Sequence, residues 1–409
     1  MSKPLFDFAS PDPRLAAYLS DYPDDLFTDQ LYRSVALANG YATAHSLALL
    51  TELGLRDPLQ DWCTAEELLR RRGFVARFHR ALTWLLETAA EAGVLARGGA
   101  GSARRYRWVQ APAPEYAPGQ LSALRAIGLE NDPSIAATLD LLDNAAAAYP
   151  DVAFGRCRGE DALFGMGQLD LWQAYFNNHH LLYAVNNRVG AAAAARLLAE
   201  RTDTKRLRLL EIGAGCGSGS EALLKALAER GLAERIEQFV VSEPNAFFRR
   251  RGQRALGAAF RELPLTFVSL DIDTPWKDSL PDVAPFDLVF GVNVMHVAKD
   301  LRFSLHQARD CLAGDGWFVA GECVRPFPNQ PIYPELMFQI LDGYIDVRTD
   351  PAIRPAPGFL TSEEWSAALA ETGFGDCKIV PDQARIREIY RWFFVGAVCA
   401  RPRPAHPVS

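Results

Sequence analysis

The chain has 409 residues, of which 49% are hydrophobic and 23% are charged, and a formal net charge of −7. This length exceeds that of a usual single-core protein and predicts two or three domains, while the composition is ordinary for a globular protein. The acidic balance gives no global support for binding to a polyanion such as nucleic acid.

Several further features favour a cytoplasmic protein. The seven cysteines are scattered and include no C-x-x-C pair, which indicates reduced thiols rather than a disulfide framework or a zinc site. Residues 1–25 are rich in Pro, Asp and Ser and lack the basic and apolar segments of a signal peptide, so we expect a loose leader. The most apolar stretch, 35–55, is too short and too polar to span a bilayer.

The sequence predicts a winged-helix-like domain over residues 26–110. Apolar residues have helical spacing over 31–55, and Thr64 followed by Glu67 is a capping-box start for a short helix. A longer helix follows, with these apolar residues on one side: Phe78, Leu82, Leu85 and Leu86. A glycine-rich turn and residues 106–109 then indicate a small hairpin. The order helix, helix, hairpin is typical of a winged-helix module.

The sequence predicts a helical linker over residues 111–200 and an α/β domain over residues 201–409. The linker begins with a Pro-rich stretch and contains a helix over 170–187 and an alanine-rich helix over 191–200. After Lys205, apolar runs of strand length, such as LRLLEI, FVVSE and FDLVFGVN, alternate with helical stretches. This alternation favours a parallel sheet covered by helices on both faces.

A glycine-rich turn follows the first strand of the α/β domain. LRLLEI leads directly into Gly213, Gly215, Gly217 and Gly219, and a helix is predicted over 218–230. Such a turn brings backbone amides and a helix N-terminus close to a ligand. The dinucleotide fingerprint G-x-G-x-x-G fails because Ser218 and Ser220 occupy its last position in the two possible registers. The P-loop pattern fails as well, because no Gly-Lys-Ser/Thr follows.

The pattern that does fit is Glu-x-Gly-x-Gly-x-Gly from Glu211 to Gly217. It resembles the first motif of class I S-adenosylmethionine (SAM) methyltransferases, and the resemblance implies a Rossmann-like fold with SAM as cofactor. Glu211 would attract the ammonium group of SAM, and the glycines would make room for its bulk. A tight turn without a ligand is the alternative.

Two downstream acidic residues extend this resemblance. Glu243 ends the next strand, where a carboxylate can accept hydrogen bonds from both ribose hydroxyls. Asp271 ends the run LTFVSLD, where the family usually places a contact to the adenine amino group. An ordinary loop carboxylate at either position remains open. Three acidic strand ends at this spacing nevertheless predict a nucleoside site.

The resemblance covers residues 170–400 and includes a candidate catalytic pair. The region 286–322 resembles the fourth and fifth strands of small-molecule O-methyltransferases with a winged-helix dimerisation domain, and of polyketide synthase C-methyltransferase domains. In these proteins a histidine after the fourth strand is the general base and a glutamate ending the fifth strand orients it. The matching residues are His296 and Glu322, and Asn293 begins a segment similar to the family's Asn-Val-Leu-His, in which Met295 replaces the leucine.

Histidine suits this role because its ordinary pKa, near 6.5, lets it accept a proton at neutral pH. A hydroxyl or an enolisable carbon is a poor nucleophile until it is deprotonated. We therefore expect His296 to remove that proton and Glu322 to fix the tautomer of the imidazole.

Substrate residues follow from the same resemblance. The stretch 170–187 is similar to a segment that lines the SAM and acceptor pockets of O-methyltransferases, although His180 replaces a usual methionine. The candidates there are Tyr175, Phe176, His179, His180, Tyr183 and Asn187. A Pro- and aromatic-rich lid over 325–344 adds Phe327, Tyr333 and Met337. Adjacent histidines on a helix point about 100° apart and do not share a metal easily, so no metal is predicted.

Other functions stay open at this stage. Arginines are frequent over 70–107, which suits a ligand-sensing winged-helix transcription regulator, but the apolar side of the long helix suits a dimer interface better. The same SAM site could also serve N-methylation, and the predicted dyad serves O- and C-methylation equally. We expect a homodimer that acts on a small-molecule or carrier-bound acyl substrate of specialised metabolism.

Overall fold

The structure is a computed structural model that describes residues 11–109, 119–165, 167–280 and 285–404. Within these residues ten strands occur: β1 (Cys63–Thr64), β2 (Leu95–Gly98), β3 (Arg105–Trp108), β4 (Leu207–Ile212), β5 (Ile236–Ser242), β6 (Leu265–Val268), β7 (Phe286–Val292), β8 (Leu312–Cys323), β9 (Phe374–Val380) and β10 (Val395–Pro402).

The same residues contain sixteen α-helices: α1 (Leu15–Leu19), α2 (Asp29–Glu52), α3 (Ala65–Arg72), α4 (His79–Glu91), α5 (Gly119–Asn131), α6 (Ala136–Ala153), α7 (Gly159–Phe164), α8 (Leu169–Tyr175), α9 (Leu181–Ala199), α10 (Ser218–Glu229), α11 (Ala246–Ala259), α12 (Leu301–Cys311), α13 (Glu335–Phe338), α14 (Asp342–Ile345), α15 (Ser362–Glu371) and α16 (Gln383–Ile389). In the part of the chain described here, none of them is both long and apolar enough to cross a membrane.

The first of two compact units contains Thr28–Tyr175 and Asn329–Ile345. It is mainly helical, with α2 packed on α4, α5 and α6, and it has a small antiparallel sheet in the order β1-β3-β2. The predicted capping box is confirmed, since the side chain of Thr64 accepts from the backbone N–H of Glu67 and the Glu67 carboxylate accepts from that of Thr64.

The apolar side of α4 and its entry turn is part of the core of this unit. Phe78, Leu82, Leu85 and Leu86 are each 1% exposed or less. The elements that α4 contacts include α2, α3 and β2 of the same chain. The prediction that this side forms a dimer interface is therefore wrong, because its surface is already covered. The predicted homodimer itself stays a prediction.

A buried carboxylate connects the arginine-rich hairpin to α4. Glu87 accepts hydrogen bonds from Arg97 (2.9 Å), Arg104 (2.6 Å) and the hydroxyl of Tyr106 (2.6 Å). Burial opposes the ionisation of Glu87, but these three bonds outweigh it and lower the pKa of the carboxyl. Two of the arginines that suggested a DNA-binding regulator thus have an internal counter-charge.

The second unit contains Asp12–Phe27, Phe176–Pro328 and Asp346–Ser409. Its described residues form a seven-stranded sheet in the order β6-β5-β4-β7-β8-β10-β9. The first five strands of this order are parallel, and β10 is antiparallel to both β8 and β9. The predicted α/β fold, with a mostly parallel sheet and a C-terminal antiparallel pair, is confirmed.

Helices cover both faces of this sheet. A Cβ on Gly190 of α9 would lie 3.1 Å from the Cα of Gly321, so this helix packs closely on one face. The adjacent Ala320 belongs to a core cluster that includes Val289 of β7 and Leu305 of α12. Because successive strand residues point to opposite faces, α9 and α12 lie on opposite sides of the sheet.

The strand order brings the carboxyl ends of β4, β5, β7 and β8 to one edge. The direction of winding reverses between β4 and β7, since β5 and β6 follow on one side of β4 and β8 on the other side of β7. Ligands of doubly wound sheets bind at such a reversal, outside the carboxyl ends of the strands. The residues that follow these four strands are therefore the candidates for a site.

The limits of the units differ from the predicted boundaries. The helices α5 to α8, within the predicted linker 111–200, group with the first unit, and α9 groups with the sheet. Residues 329–345 interrupt the second unit, because their side and main chains bind helices of the first. For example, Trp84 donates to Glu335 (3.0 Å) and Tyr149 donates to the carbonyl of Leu336 (3.0 Å). Of the predicted leader 1–25, residues 12–25 belong to the second unit, and residues 1–10 lie outside the described residues.

Candidate functional site

The glycines of the turn between β4 and α10 have different surroundings. Gly213, Gly215 and Gly217 all have positive φ, at 60°, 54° and 88°. A Cβ at Gly213 would lie 2.4 Å from Val294, and one at Gly217 would lie 2.9 Å from Leu256. At Gly215 no described atom beyond its chain neighbours would lie within 4 Å of a Cβ. Packing therefore requires glycine at the outer two positions, and Gly215 is where a ligand can approach the backbone.

Glu243 directly follows β5 and is oriented by two backbone amides. Its Oε2 accepts from the N–H of Gly215 (2.9 Å) and its Oε1 from the N–H of Asn245 (2.8 Å). Burial raises the pKa of this carboxyl, and the two amide bonds oppose the rise. Since each carboxylate oxygen can accept more than one hydrogen bond, both oxygens can still receive a hydroxyl. The geometry suits the predicted ribose contact, which stays a prediction.

Glu211 lies in β4 and is almost completely buried, with 1% of its surface exposed. The hydroxyl of Ser220 donates to its carboxylate. Burial raises the pKa of Glu211 to about 8, with this bond opposing the rise. Among the described residues no lysine or arginine forms an ion pair with it. A carboxyl in these surroundings gains from an approaching cation, because opposite charge favours its ionised form.

The predicted pair His296 and Glu322 is in direct contact. His296 lies in a short 3-10 turn, Met295–Val297, after β7, and its Nδ1 is 2.8 Å from Oε2 of Glu322. The other carboxylate oxygen accepts from the N–H of Val294 (3.2 Å) and of Met295 (2.9 Å). Both side chains are buried, at 4% and 0% exposure. The pairing is as predicted, while its catalytic role stays a prediction.

The hydrogen bonds of Glu322 determine which ring nitrogen of His296 carries the proton. A carboxylate that already accepts two amides accepts a third bond, so Nδ1 is assigned as the donor. In the neutral imidazole the lone pair is then on Nε2, which is the atom able to take a proton. The ring of Phe359 packs on the imidazole, with 4.4 Å between the centroids.

The contacts of Asn293 and Asp271 are to neighbouring backbone groups. Asn293 has φ 51°, and its Oδ1 accepts from the N–H of Cys323 (3.2 Å), so it joins the ends of β7 and β8. Asp271 is exposed, lies three residues beyond β6 and accepts from the N–H of Asp273 (3.0 Å). The cofactor contacts predicted for both residues stay predictions.

The helix predicted over 170–187 is wrong, because two helices occur in its place. Helix α8 ends at Tyr175 and α9 begins at Leu181. Between them the side-chain oxygen of Asn177 accepts from the N–H groups of His179 (2.8 Å) and His180 (3.1 Å). Asparagine competes with the helical backbone in this way and ends helices. The argument from the helical angle between the two histidines therefore fails, although no described group of three His, Cys, Asp or Glu residues is placed to bind a metal.

Asn178, which the sequence did not single out, connects α9 to α10. Its amide donates to the carbonyl of Ser218 and to the carboxylate of Glu221, both at 2.9 Å, and its oxygen accepts from Asn187 (2.8 Å). The predicted substrate residue Asn187 is fully buried in this bridge. The only sequence signal for Asn178 is its place in the segment that resembles the pocket-lining helix.

Phe176 and Tyr183 form an aromatic contact in the second unit. Their ring centroids are 5.3 Å apart, and the ring of Phe176 also lies 6.1 Å from that of Phe248. Burial raises the pKa of Tyr183. His179 is exposed and His180 is buried. None of these placements tests a contact to substrate.

The remaining substrate candidates are divided between the units. Tyr175, Tyr333 and Met337 belong to the first unit and are buried there. Phe327 belongs to the second unit, is 38% exposed and lies beneath the guanidinium of Arg387, 5.5 Å away. The predicted lid 325–344 is therefore not a single structural element, and its contact with an acceptor stays a prediction.

The chain is similar in sequence to proteins of polyketide biosynthesis, although no family model matches it. It is 26% identical to the polyketide synthase PksR of Bacillus subtilis (strain 168) over 261 residues, which cover 63% of this chain and 10% of that protein. It is 29% identical to the polyketide methyltransferase ustM of Ustilaginoidea virens over 227 residues, which cover 54% of this chain and 48% of that protein. The chain thus matches a small part of the synthase and about half of ustM.

Solved structures share the fold over nearly the whole chain. The CurJ carbon methyltransferase has a TM-score of 0.75 at 21% identity, covering 97% of this chain and 100% of its own. The DszA carbon methyltransferase has a TM-score of 0.71 at 21% identity, covering 97% and 98%. The trans-methyltransferase CalH, solved with SAH, has a TM-score of 0.61 at 17% identity, covering 94% of each chain. The chain therefore has the fold of these methyltransferases, as the sequence resemblance predicted.

Proposed function

We propose that the chain is a SAM-dependent methyltransferase that transfers a methyl group to an enolisable carbon of a polyketide-type acyl substrate. The observation that carries this proposal is the buried His296–Glu322 pair, 2.8 Å apart, at the same sheet edge as the glycine turn. The relatives PksR and ustM, named as polyketide synthase and polyketide methyltransferase, support the substrate class.

The residues at the strand ends fit SAM chemically. Gly215 presents open backbone, and Glu243 offers two oriented carboxylate oxygens for hydroxyl donors. Glu211 has a raised pKa and gains from a nearby cation, as the ammonium of SAM would provide. Gly213 and Gly217 shape the turn, and Asp271 and Asn293 complete the proposed cofactor set.

SAM, when bound, supplies an electrophilic methyl group on a sulfonium. The task of the protein is then to hold the acceptor in line and to remove its proton. Nε2 of His296 accepts the proton from the carbon of the acceptor. The Nδ1–H keeps donating its hydrogen bond to Glu322, whose carboxylate stabilises the imidazolium that forms. General-base catalysis of this kind contributes about 10²- to 10⁴-fold to the rate.

Carbon is the acceptor that the comparisons favour. CurJ and DszA are both described as carbon methyltransferases. A carbon between a ketone and a thioester carbonyl loses its proton readily to a histidine. The same pair could deprotonate a hydroxyl, so O-methylation is the second outcome that an experiment must separate. Whether the acyl group is free or held on a carrier is part of the same test.

The test uses SAM with a ¹³C-labelled methyl group and a β-ketoacyl thioester, offered both as a small thioester and on a carrier protein. Mass spectrometry and NMR should locate the label on the carbon between the two carbonyls. His296→Ala should lower turnover about 10²- to 10⁴-fold but bind SAM normally by calorimetry. Label on oxygen would overturn the carbon assignment, and well-folded protein that binds no SAM would overturn the proposal as a whole.

A further inference from the structure

A segment far from the predicted site in sequence holds the turn that carries the proposed base. We call residues 346–361 of the second unit the strap. The backbone N–H of Arg348 donates to the carbonyl of Lys299 (2.7 Å), and its side chain pairs with Asp300 (2.9 Å). The strap thus binds the chain immediately after His296 through both main chain and side chain.

Arg354 is the residue of the strap that reaches His296 itself. It is fully buried, at 0% exposure. Its guanidinium donates through Nη2 to the carbonyl of His296 and through Nη1 to the carbonyl of Ala298 (2.5 Å). The planar fork of a guanidinium has fixed spacing, so one side chain sets the separation of these two carbonyls. The backbone of the turn is thereby held on either side of Val297.

The strap also contacts the imidazole. Phe359 packs on the ring of His296, with 4.4 Å between the centroids. The carbonyl of Phe359 in turn accepts from Nε of the buried Arg325 (3.1 Å), which fixes the backbone of that phenylalanine. Main chain and ring of His296 are therefore restrained by the same segment, while Glu322 restrains Nδ1.

A buried guanidinium requires a reason, because removing a charge from water is costly and apolar packing would stabilise a core as well. Two hydrogen bonds of the Arg354 guanidinium end on the turn that carries His296, so holding this turn is one benefit that the buried charge provides. Holding the carbonyl of His296 restrains the main chain at its Cα and thereby limits the direction of its Cα–Cβ bond. Together with the bond between Nδ1 and Glu322, that direction decides where Nε2 points.

We propose that Arg354 is a positioning residue that orients His296 through its main chain. The catalytic consequence rests on the proposed function, since it requires His296 to be the base. The structural part, that Arg354 restrains the imidazole, stands independently of the reaction. The competing explanation is that Arg354 only contributes to the stability of the fold.

The test compares Arg354→Met and Arg354→Lys with the control Arg201→Met. Arg201 has a 5% exposed side chain in the same unit and pairs with Asp203, Asp287 and Asp315, so its loss destabilises the unit without touching His296. The first readout is ¹⁵N NMR of histidine-labelled protein, with His296 identified by its absence in His296→Gln. We expect Arg354→Met to shift or split the His296 signal, Arg354→Lys to do so less, and Arg201→Met to leave it unchanged.

The second readout is methyl transfer. A misplaced catalytic group can lower turnover about 100-fold, so we expect kcat of Arg354→Met to fall about 10- to 100-fold while the Kd for SAM stays constant. Arg354→Lys should recover part of kcat, and Arg201→Met should lose thermal stability but keep kcat. If Arg354→Met does not fold, Arg354→Lys carries both readouts.

The outcomes separate the two proposals. An unchanged His296 signal and unchanged kcat in a folded Arg354 variant would overturn the positioning role. If Arg354→Met shifts the His296 signal and the wild-type protein transfers no methyl group, the positioning role is supported and the proposed function is overturned. Equal loss of kcat in Arg201→Met would assign the effect to stability alone.

Discussion

Two buried glutamates, one in each unit, are satisfied in opposite ways. In the first unit, Glu87 accepts from Arg97, Arg104 and Tyr106, and these bonds lower the pKa of its carboxyl despite burial. In the second unit, Glu211 accepts from the hydroxyl of Ser220, and burial raises the pKa of Glu211 to about 8. The fold supplies positive charge to the first carboxylate and neutral donors of Ser220 to the second.

The difference separates a carboxylate that receives positive charge from the fold from carboxylates whose described partners are not arginine or lysine. Glu322 resembles Glu211, because its described partners are the N–H groups of Val294 and Met295 and the ring of His296. A cation arises beside Glu322 only when His296 takes a proton. In the proposed function, Glu211 receives positive charge from the ammonium of SAM and Glu322 from the protonated His296, whereas Glu87 already receives it from Arg97 and Arg104.

The largest effect is expected at Glu322. In Glu322→Gln the amide oxygen can still accept from Val294 and Met295, and the amide N–H₂ then faces Nδ1 of His296. That donor places the histidine proton on Nε2 and removes the base. Turnover should fall about 10²- to 10⁴-fold, measured as the methyl-transfer rate at saturating SAM.

The matched control is Glu67→Gln, since Glu67 is the capping-box residue of α3 and belongs to the first unit. Its turnover should equal that of wild type, and calorimetry should give one SAM affinity for all three proteins. Wild-type turnover in Glu322→Gln would remove Glu322 from the mechanism.

The next effect concerns Glu87. Glu87→Gln removes the negative charge that Arg97 and Arg104 share, so the free energy of unfolding should fall by about 1 to 2 kcal/mol. This loss is smaller than for a fully buried ion pair, because both arginines are partly exposed. Urea unfolding followed by circular dichroism measures this loss.

The pH dependence of that loss has a defined sign. Because folding lowers the pKa of Glu87, its stabilising contribution is present above the unfolded value of 4.5 and is lost as pH falls through the lowered folded value. The wild type and Glu87→Gln should therefore converge in strong acid and differ at neutral pH. A constant difference at every pH would mean that the charge is not responsible.

A smaller effect is expected at Glu211. With its pKa raised to about 8, the carboxyl holds a proton at pH 7 that a bound cation must displace. One pKa unit corresponds to about 1.4 kcal/mol, so the affinity for SAM should rise about tenfold between pH 6 and pH 7, a range in which the α-ammonium of SAM keeps its proton. In Glu211→Gln it should be independent of pH, as calorimetry would show.

The stability of the unliganded protein should change in the opposite direction. A raised carboxyl pKa contributes a penalty that is absent below the unfolded value of 4.5 and grows as pH rises to about 8. Glu211→Gln should remove this decline, whereas Glu237→Gln, at an exposed pair with Arg208, should leave it unchanged. A SAM affinity that falls from pH 6 to pH 7 would contradict the role given to Glu211.

The sequence could predict the carboxylates at the strand ends but not the groups that hold them. Glu211, Glu243 and Glu322 end or follow strands, and parallel strands bring their carboxyl ends to one edge. Arg354 and Phe359 lie in a Pro-rich stretch about sixty residues beyond the base, and a long-range contact of this kind has no local pattern. The contact between the strap and His296 is therefore visible in the fold and not in the sequence.

Local competition explains the broken helix. The apolar spacing continues through 170–187, so periodicity predicted one helix, but the side chain of Asn177 takes the N–H groups of His179 and His180. The sequence did contain this asparagine. Its effect depends on a choice between two hydrogen-bond partners, which periodicity does not weigh.

The smallest effect is expected at an exposed pair close to the glycine turn. Lys225 contacts Glu221 at 2.6 Å on the surface of α10, with the two side chains 60% and 35% exposed. Water already solvates both charges there, so Lys225→Met should change the free energy of unfolding by less than about 0.5 kcal/mol, and SAM affinity should not change. Arg104→Met, which removes a cation from the buried Glu87, is the comparison and should cost more. A loss at Lys225 equal to that at Arg104 would mean that burial of the carboxylate does not decide the worth of its cation, and the contrast between Glu87 and Glu211 would lose its physical basis.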